Sequence, residues 1–282
     1  MSNRHAFLLL SPLLVVLVAG FLLPVVFMFP TSLQSYSAFG QTEPPVFTLE
    51  NYIRFFTDSF YREIIGRTLV MGAIVTLVCL LMGYPLAYYI VRGGQRWRII
   101  LTLLVIFPLL LNIVVRTFGW VALLANHGLI NTLLMDVGLI DTPIKFMFNL
   151  SGVTVGLVHV HLPFMVLMLV AAIQNVPRDL ELAAANLGSS PATVFRKVML
   201  PLSVPGIFSG SLLVFVLSIS ALVTPRMLGG PTYKVMATLI YDEYMLLLDW
   251  PSGAALSFAL TFIMLAIVWG ANFLSSRSKG FA

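Results

Sequence analysis

Charge is scarce in this chain. Of its 282 residues only 10% are Asp, Glu, Lys or Arg, against roughly 25% in a soluble domain. Too few are present to cover a surface that faces water on all sides. Cysteine is almost missing as well. Cys79 is the single one, which excludes an internal disulfide and every metal site built on cysteine pairs. It lies within the apolar run VTLVCLLMGY and is expected in a packed interior. No G-x-x-x-x-G-K-[ST] phosphate loop occurs, so a nucleotide-hydrolysing role by that route is excluded. No Ser/His/Asp or paired-carboxylate constellation stands out either. The formal net charge of +5 suits loops beside an anionic membrane and calls for no nucleic acid.

What is abundant is apolar. Hydrophobic residues make up 59% of the chain, in continuous rather than alternating runs. Continuous runs point to an all-α membrane protein and not to a barrel. A helix needs about 20 apolar residues to cross a bilayer. Six stretches qualify, at about 6–29, 69–91, 99–115, 151–173, 205–225 and 252–274, within one transmembrane domain spanning 1–282. Pro108, Pro163 and the Gly83-Tyr84-Pro85 trio fall inside them, where neighbouring helices tolerate kinks. The first run is longer than the roughly 7–15 residues of a signal-peptide core and lacks a clean cleavage pattern, so it is expected to be retained.

Basic residues set the expected orientation. With the N-terminus in the cytoplasm, the inner segments hold Arg4, Arg92, Arg96, Arg98, Arg178, Arg196, Lys197, Arg277 and Lys279, against only Asp179 and Glu181. The short loop RGGQRWR carries the most weight, because short loops dominate the positive-inside effect. Both termini are then cytoplasmic. On the outer side, residues 30–68 open with turn signals at FGQTEPP. Thr48 then precedes Asn51-Tyr52-Ile53 and Phe55-Phe56, a pattern for a short amphipathic helix on the membrane surface. Residues 116–149 read as interfacial or re-entrant helices near Trp120.

One stretch breaks the apolar pattern. In ELAAANLGSSPATVFRKVMLPL, residues 181–202, Pro177-Arg178-Asp179 ends the fourth span and starts a helix with a carboxylate near its N-terminus. LELAAANL continues it, and Gly188 supplies the left-handed turn that ends a helix. Ser190 as N-cap and Pro191 at the first helical position start another, expected to end at Pro201. Small side chains at Ala183 and Ala184 allow a close approach by a second surface, with Leu182 and Leu187 available to pack. On chemistry alone, a docking surface and a plain connector both stay open.

The spacing of Ala183-Ala184, Gly188 and then Val198-x-Leu200-Pro201 resembles the EAA loop of permease subunits of binding-protein-dependent ABC importers. The stretches VVRTFGWVALLANHGLIN (114–131), IDTPIKFMF (140–148), TPRMLGG (224–230) and DWPSGAALS (249–257) resemble the spermidine/putrescine-type branch. The resemblance implies a type I ABC importer permease fold with six transmembrane helices, in a bacterial cytoplasmic (inner) membrane. It implies that Glu181, Leu182, Ala183, Ala184, Leu187, Gly188, Pro191, Leu200 and Pro201 form the contact with a cytoplasmic ATPase. The family's Glu falls at Leu182 here, with a carboxylate one residue earlier at Glu181, and Val198 replaces the usual Ile.

The same resemblance implies partners: a second, homologous but distinct permease subunit, two copies of the ATPase that hold ATP and Mg, and an outer substrate-binding protein. This chain itself is expected to be non-catalytic and to carry no cofactor, with membrane lipid around it. The implied cargo is a polyamine. Related permeases carry anions, phosphonates, iron, thiamine or amino acids, which leaves that class as the alternative.

Polar groups in or near spans are costly and often functional. Asn112 and Arg116, four apart, share a helix face, and Trp120 follows. Ser218 and Thr224 lie along the fifth span. Tyr241, Asp242 and Glu243 precede the sixth, where carboxylates and aromatic faces would attract a cation. These residues are the expected substrate pathway. His159 and His161, two apart, point to different sides of a helix, so interhelical hydrogen bonds are expected there and a metal site is not. An ion-coupled secondary transporter would need ionisable groups at mid-membrane depth and paired broken helices, and only the histidines fit it. A membrane-embedded enzyme would rest on the same two residues.

Overall fold

The computed structural model describes residues 3–35 and 46–278, with side chains for 10–35 and 46–273. The turn expected at FGQTEPP and Lys279 lie outside the described residues. In chain order the α-helices are α1 (Asn3–Leu17), α2 (Leu23–Ser32), α3 (Glu50–Thr57), α4 (Ser59–Arg92), α5 (Gln95–Ile106), α6 (Ile113–Leu124) and α7 (Leu129–Asp136). They continue with α8 (Leu150–Gln174), α9 (Arg178–Asn186), α10 (Pro191–Val194), α11 (Leu200–Ile219), α12 (Met236–Met245) and α13 (Trp250–Ser278). Among the described residues, extended pairing is limited to one isolated bridge, Gln34 to Phe47.

Six stretches are long and apolar enough to cross a membrane: Leu10–Ser32, Ser59–Arg92, Ile113–Asp136, Leu150–Gln174, Pro191–Ile219 and Trp250–Phe273. Five overlie the stretches expected from sequence, and the third does not. Residues 99–115 are not one helix. α5 tightens into a 3₁₀ turn at Phe107–Leu110, where Pro108 lacks an N–H for the α-helical ladder. Leu111 and Asn112 are then extended, and the Asn112 side chain accepts from the Val114 N–H at 2.8 Å to start α6. Here the cap and the proline override the apolar run.

Proline acts differently in two other helices. A π-turn at Val18–Leu22 is followed by Leu23-Pro24, and a π-turn at Phe195–Met199 by Leu200-Pro201. In each, the Leu N–H bonds to the first carbonyl of the wide turn, five residues back. Widening the turn just before a proline relieves the clash of its ring with the preceding carbonyls. Pro201 therefore does not end its helix as expected. Helical structure runs on from Pro191 to Ile219.

The chain divides into two compact units, Met1–Glu63 with Leu239–Ala266, and Ile64–Thr238 with Ile267–Ala282. The core of the larger one is built on α8, whose Leu157, Met165, Val166, Leu169 and Ile173 are fully buried. Met71, Val75 and Cys79, one helical face of α4, join it, as do Val214 of α11 and Leu228. α8 and α11 pack closely. A Cβ placed on Gly206 would sit 2.0 Å from the Ala172 Cβ, and one on Gly210 would sit 3.1 Å from the Met165 sulfur. Gly206 and Gly210 form a GxxxG pattern, which lets two helix backbones approach in a lipid setting.

In the smaller unit, α3 forms where the Thr48 hydroxyl accepts from the Glu50 N–H at 3.1 Å. Its Phe55 is buried against the Tyr61 ring. The Tyr52 hydroxyl meets that of Ser32 at 2.8 Å, and Asn51 donates to the Gln34 carbonyl at 2.9 Å. This is the amphipathic helix expected from the sequence. α13 begins under a cap from Asp249, which accepts from the Ser252 N–H at 2.9 Å.

Candidate functional site

The helix–turn–helix forms as its residues dictate. α9 carries Asp179 and Glu181 in its first turn, where carboxylates meet the positive end of the helix. It closes in a Schellman arrangement, with Ser189 N–H to Ala184 O at 3.1 Å and Gly188 N–H to Ala185 O at 2.9 Å. Gly188 takes φ +83°, which an L side chain adopts only at a cost. The Ser190 hydroxyl accepts from the Thr193 N–H at 3.3 Å, with Pro191 at the first helical position.

The residues assigned to the ATPase contact do not all face outward. Leu187 is 87% exposed and Leu182 53%, and Ala183, Gly188, Pro191, Leu200 and Pro201 are exposed as well. Leu187, at the C-terminal end of α9, forms an exposed apolar tip that a partner surface would cover. Ala184 and Glu181, three apart, are largely shielded on the opposite side.

Glu181 turns into its own chain. Its Oε1 accepts from Arg92 Nε at 2.7 Å and lies 2.7 Å from Arg92 Nη2. Both side chains are nearly buried, 14% and 13% exposed. The same Nη2 donates to the Val176 carbonyl at 2.8 Å, and the Tyr88 hydroxyl donates to Glu181 Oε2 at 3.4 Å. Tyr84, Tyr88 and Arg92 lie at four-residue spacing on one side of α4. The Tyr84 hydroxyl meets Ser203 of α11 at 2.8 Å, and the Tyr84 and Tyr88 rings both pack edge-on against Phe195. The last turns of α4 thus hold α9, the end of α8 and the start of α11. Sequence reasoning missed Tyr84, Tyr88 and Arg92.

The expected pathway residues separate into two groups. Asn112 caps α6 and Arg116 follows one turn later. Arg116 Nε and Nη1 are buried without a hydrogen-bond partner. The Trp120 indole N–H donates to His159 Nδ1 at 3.0 Å. Since an indole can only donate, that imidazole is neutral with its proton on Nε2. Ser218 gives its proton to the Val214 carbonyl at 2.7 Å, so its oxygen receives the His161 Nδ1–H at 3.0 Å. Thr224 meets Thr117 at 3.3 Å. The two histidines thus bond to α6 and α11, different helices, as a two-residue spacing requires. Tyr241, Asp242 and Glu243 lie in the other unit, where both carboxylates are buried.

A cleft of about 670 Å³, lined by Ala125, Asn126, Lys145, Met147, Phe148 and Asn149, was also not foreseen. Phe148 takes φ +62° there. Its N–H donates to Leu228 O at 2.7 Å, and its carbonyl accepts from the Thr232 hydroxyl at 3.0 Å. Among the described residues, no group of three or more His, Cys, Asp or Glu is placed to hold a metal ion.

Comparison with known proteins fits this arrangement. Residues 80–280 match the family described as binding-protein-dependent transport system inner membrane component. The spermidine/putrescine transport system permease protein PotB of Escherichia coli K12 is 37% identical over 235 residues, 82% of this chain and 85% of that protein. The molybdenum transport system permease protein ModB of Mycobacterium bovis is 32% identical over 200 residues, 71% of this chain and 74% of its own. A bacterial ABC transporter involved in import of the acidic polysaccharide alginate has a chain with the same fold. Its TM-score is 0.81 at 19% identity, over 98% of this chain and 96% of that one. With its six apolar crossings and the match across residues 80–280, this multi-pass bacterial inner-membrane chain belongs to the inner membrane components of binding-protein-dependent transport systems.

Proposed function

We propose that this chain is one of two permease subunits enclosing the pathway of an ATP-driven importer for polyamines. It takes spermidine or putrescine from an outer binding protein. Two copies of a separate cytoplasmic ATPase, which hold ATP and Mg, drive it through the α9–α10 loop. The second permease is a homologous, distinct chain. The observation that carries the coupling role is the exposed apolar tip of α9, with Leu187 87% exposed beside a Gly188 held at positive φ. The polyamine assignment leans on the 37% identity to a permease named for spermidine and putrescine. When the ATPase pair closes, it draws the coupling helices together and opens the pathway outward to the loaded binding protein.

The test is uptake of labelled spermidine into proteoliposomes holding the full importer, with ATP inside or withheld. ATP-dependent uptake, competed by putrescine and lost on deleting residues 179–190, is the expected result. Uptake that survives without ATP but collapses with a proton gradient would overturn the assignment. Arg116 favours a second cargo class, because buried guanidinium nitrogens without partners suit an anion. Molybdate and sulfate therefore belong among the competitors.

A further inference from the structure

We propose that Glu181 is not a contact to the ATPase but the inner end of a strut. Through Arg92, it fixes the coupling helix α9 to the end of α4, so that force entering at α9 moves α4 with it. The proposal rests on the reading of residues 176–203 as the coupling loop. Three observations carry it. First, both oxygens of the carboxylate are engaged from α4: Oε1 by Arg92 and Oε2 by the Tyr88 hydroxyl. An oxygen so engaged is turned away from any surface that covers Leu182 and Leu187.

Second, Arg92 does more than neutralise it. Its Nη2 also donates to the Val176 carbonyl, in the bend between α8 and α9. One guanidinium therefore holds both ends of the joint about which α9 would swing against α8. A lysine could not do this, since it lacks the planar fork of donors. Third, the joint is nearly dry, at 14% and 13% side-chain exposure. An exposed ion pair contributes little and breaks readily. Removing one partner of a buried, hydrogen-bonded pair leaves an unpaired charge and is strongly unfavourable.

A second contact line works alongside the strut. Tyr84 and Tyr88 clamp Phe195, and Tyr84 bonds Ser203, so the helix leaving the loop is tied to the same side of α4. α9 and the start of α11 are thus fastened to one lever. Glu181 and Arg92 are positioning residues: they neither touch cargo nor, on this reading, meet the ATPase. The carboxylate one position before the family's acidic site then has a distinct task, and Leu182 is left to pack outward.

The test uses the complete importer in proteoliposomes, reading three quantities: ATPase retained on co-purification, ATP hydrolysed, and substrate imported per ATP. For Glu181→Gln, ATPase retention is expected to stay within about twofold of the parent, while import per ATP falls by about tenfold or more, that is by about 1.4 kcal/mol or more. Arg92→Gln, on the other helix, should give the same split, which guards against a folding defect peculiar to one variant. Arg92→Lys, which keeps the charge but lacks the fork that also reaches the Val176 carbonyl, should still fall well below the parent in import per ATP. If ATPase retention falls as steeply as import in Glu181→Gln, the carboxylate meets the ATPase and the strut is overturned. An Arg92→Lys variant that imports as much per ATP as the parent overturns it too. Gly188→Trp separates this from failure of the coupling-loop reading. If that substitution leaves retention and import unchanged, the loop does not dock an ATPase, whatever Glu181 does.

Discussion

Replacing Gly206 by alanine is the sharpest perturbation of the α8–α11 contact. The added methyl would lie 2.0 Å from the Ala172 Cβ and 3.4 Å from its Cα. Carbon atoms settle at about 3.5–4.0 Å. The clash falls on a methyl fixed to the helix, which no rotamer change can move. α8 and α11 must therefore part by roughly 1.5 Å or more, beyond the fitted separation. Forcing extra methylenes into a tight core costs about 1–3 kcal/mol, and roughly 2–4 °C of Tm goes with each kcal/mol at this size. The expected result is a Tm lower by about 2–12 °C in detergent, read by thermal unfolding of the purified chain. The sign is diagnostic. In a helix with free space, Gly→Ala would stabilise by about 1 kcal/mol and Tm would rise. Pairing Gly206→Ala with Ala172→Gly should restore most of the loss, because the nearest remaining atom is then at ordinary contact distance. A raised Tm, or a double variant no better than the single, would refute the close packing of these two helices.

Other expectations are narrower. Gly188→Val should cost about 1–2 kcal/mol for its left-handed φ and abolish ATP-driven uptake, whereas Gly188→Asn should keep most of it. Leu182→Glu, at a half-exposed site, should change stability by less than about 0.5 kcal/mol and leave uptake intact. Uptake as low as in Gly188→Val would show that the apolar side chain itself matters. Trp120→Phe leaves His159 Nδ1 without its donor and should lower stability by about 0.5–1.5 kcal/mol. An unchanged Tm would place that bond outside the folding balance.

Much of the fold could be read from the residues. Five of the six long apolar helical stretches overlie apolar runs, and α3 follows from Thr48 and the aromatic spacing after it. The α9 turn follows from Gly188 and Ser190-Pro191, because caps and left-handed turns are local chemistry. Residues 99–115 do not form one helix, which hydropathy could not show because it cannot see a cap: Asn112 restarts a helix inside a run that averages apolar. Pro201 misled for a related reason, since a π-turn one step upstream absorbs what the ring would break. Gly206-xxx-Gly210 was legible and was overlooked. The Arg92–Glu181 joint was not legible. Its partners are 89 residues apart, and only packing of α4, α8 and α9 brings them together. The pathway residues divided for the same reason, with Trp120 and Ser218 committed to histidines that the sequence places on one helix without saying whom they meet.

The unbroken helical run from Pro191 to Ile219 has a consequence for chain length. It links the turn at Gly188 rigidly to the face carrying Gly206. Each residue advances a helix by about 100°, so one residue inserted after Met199 would swing Gly206 away from Ala172 and bring a larger side chain round. Within Phe195–Met199 the arithmetic differs, because a π-turn already holds one residue more than an α-turn. A chain one residue shorter there would keep its register and lose only the slack that seats Pro201. Along this segment, tolerance to a change in length is therefore confined to a single turn.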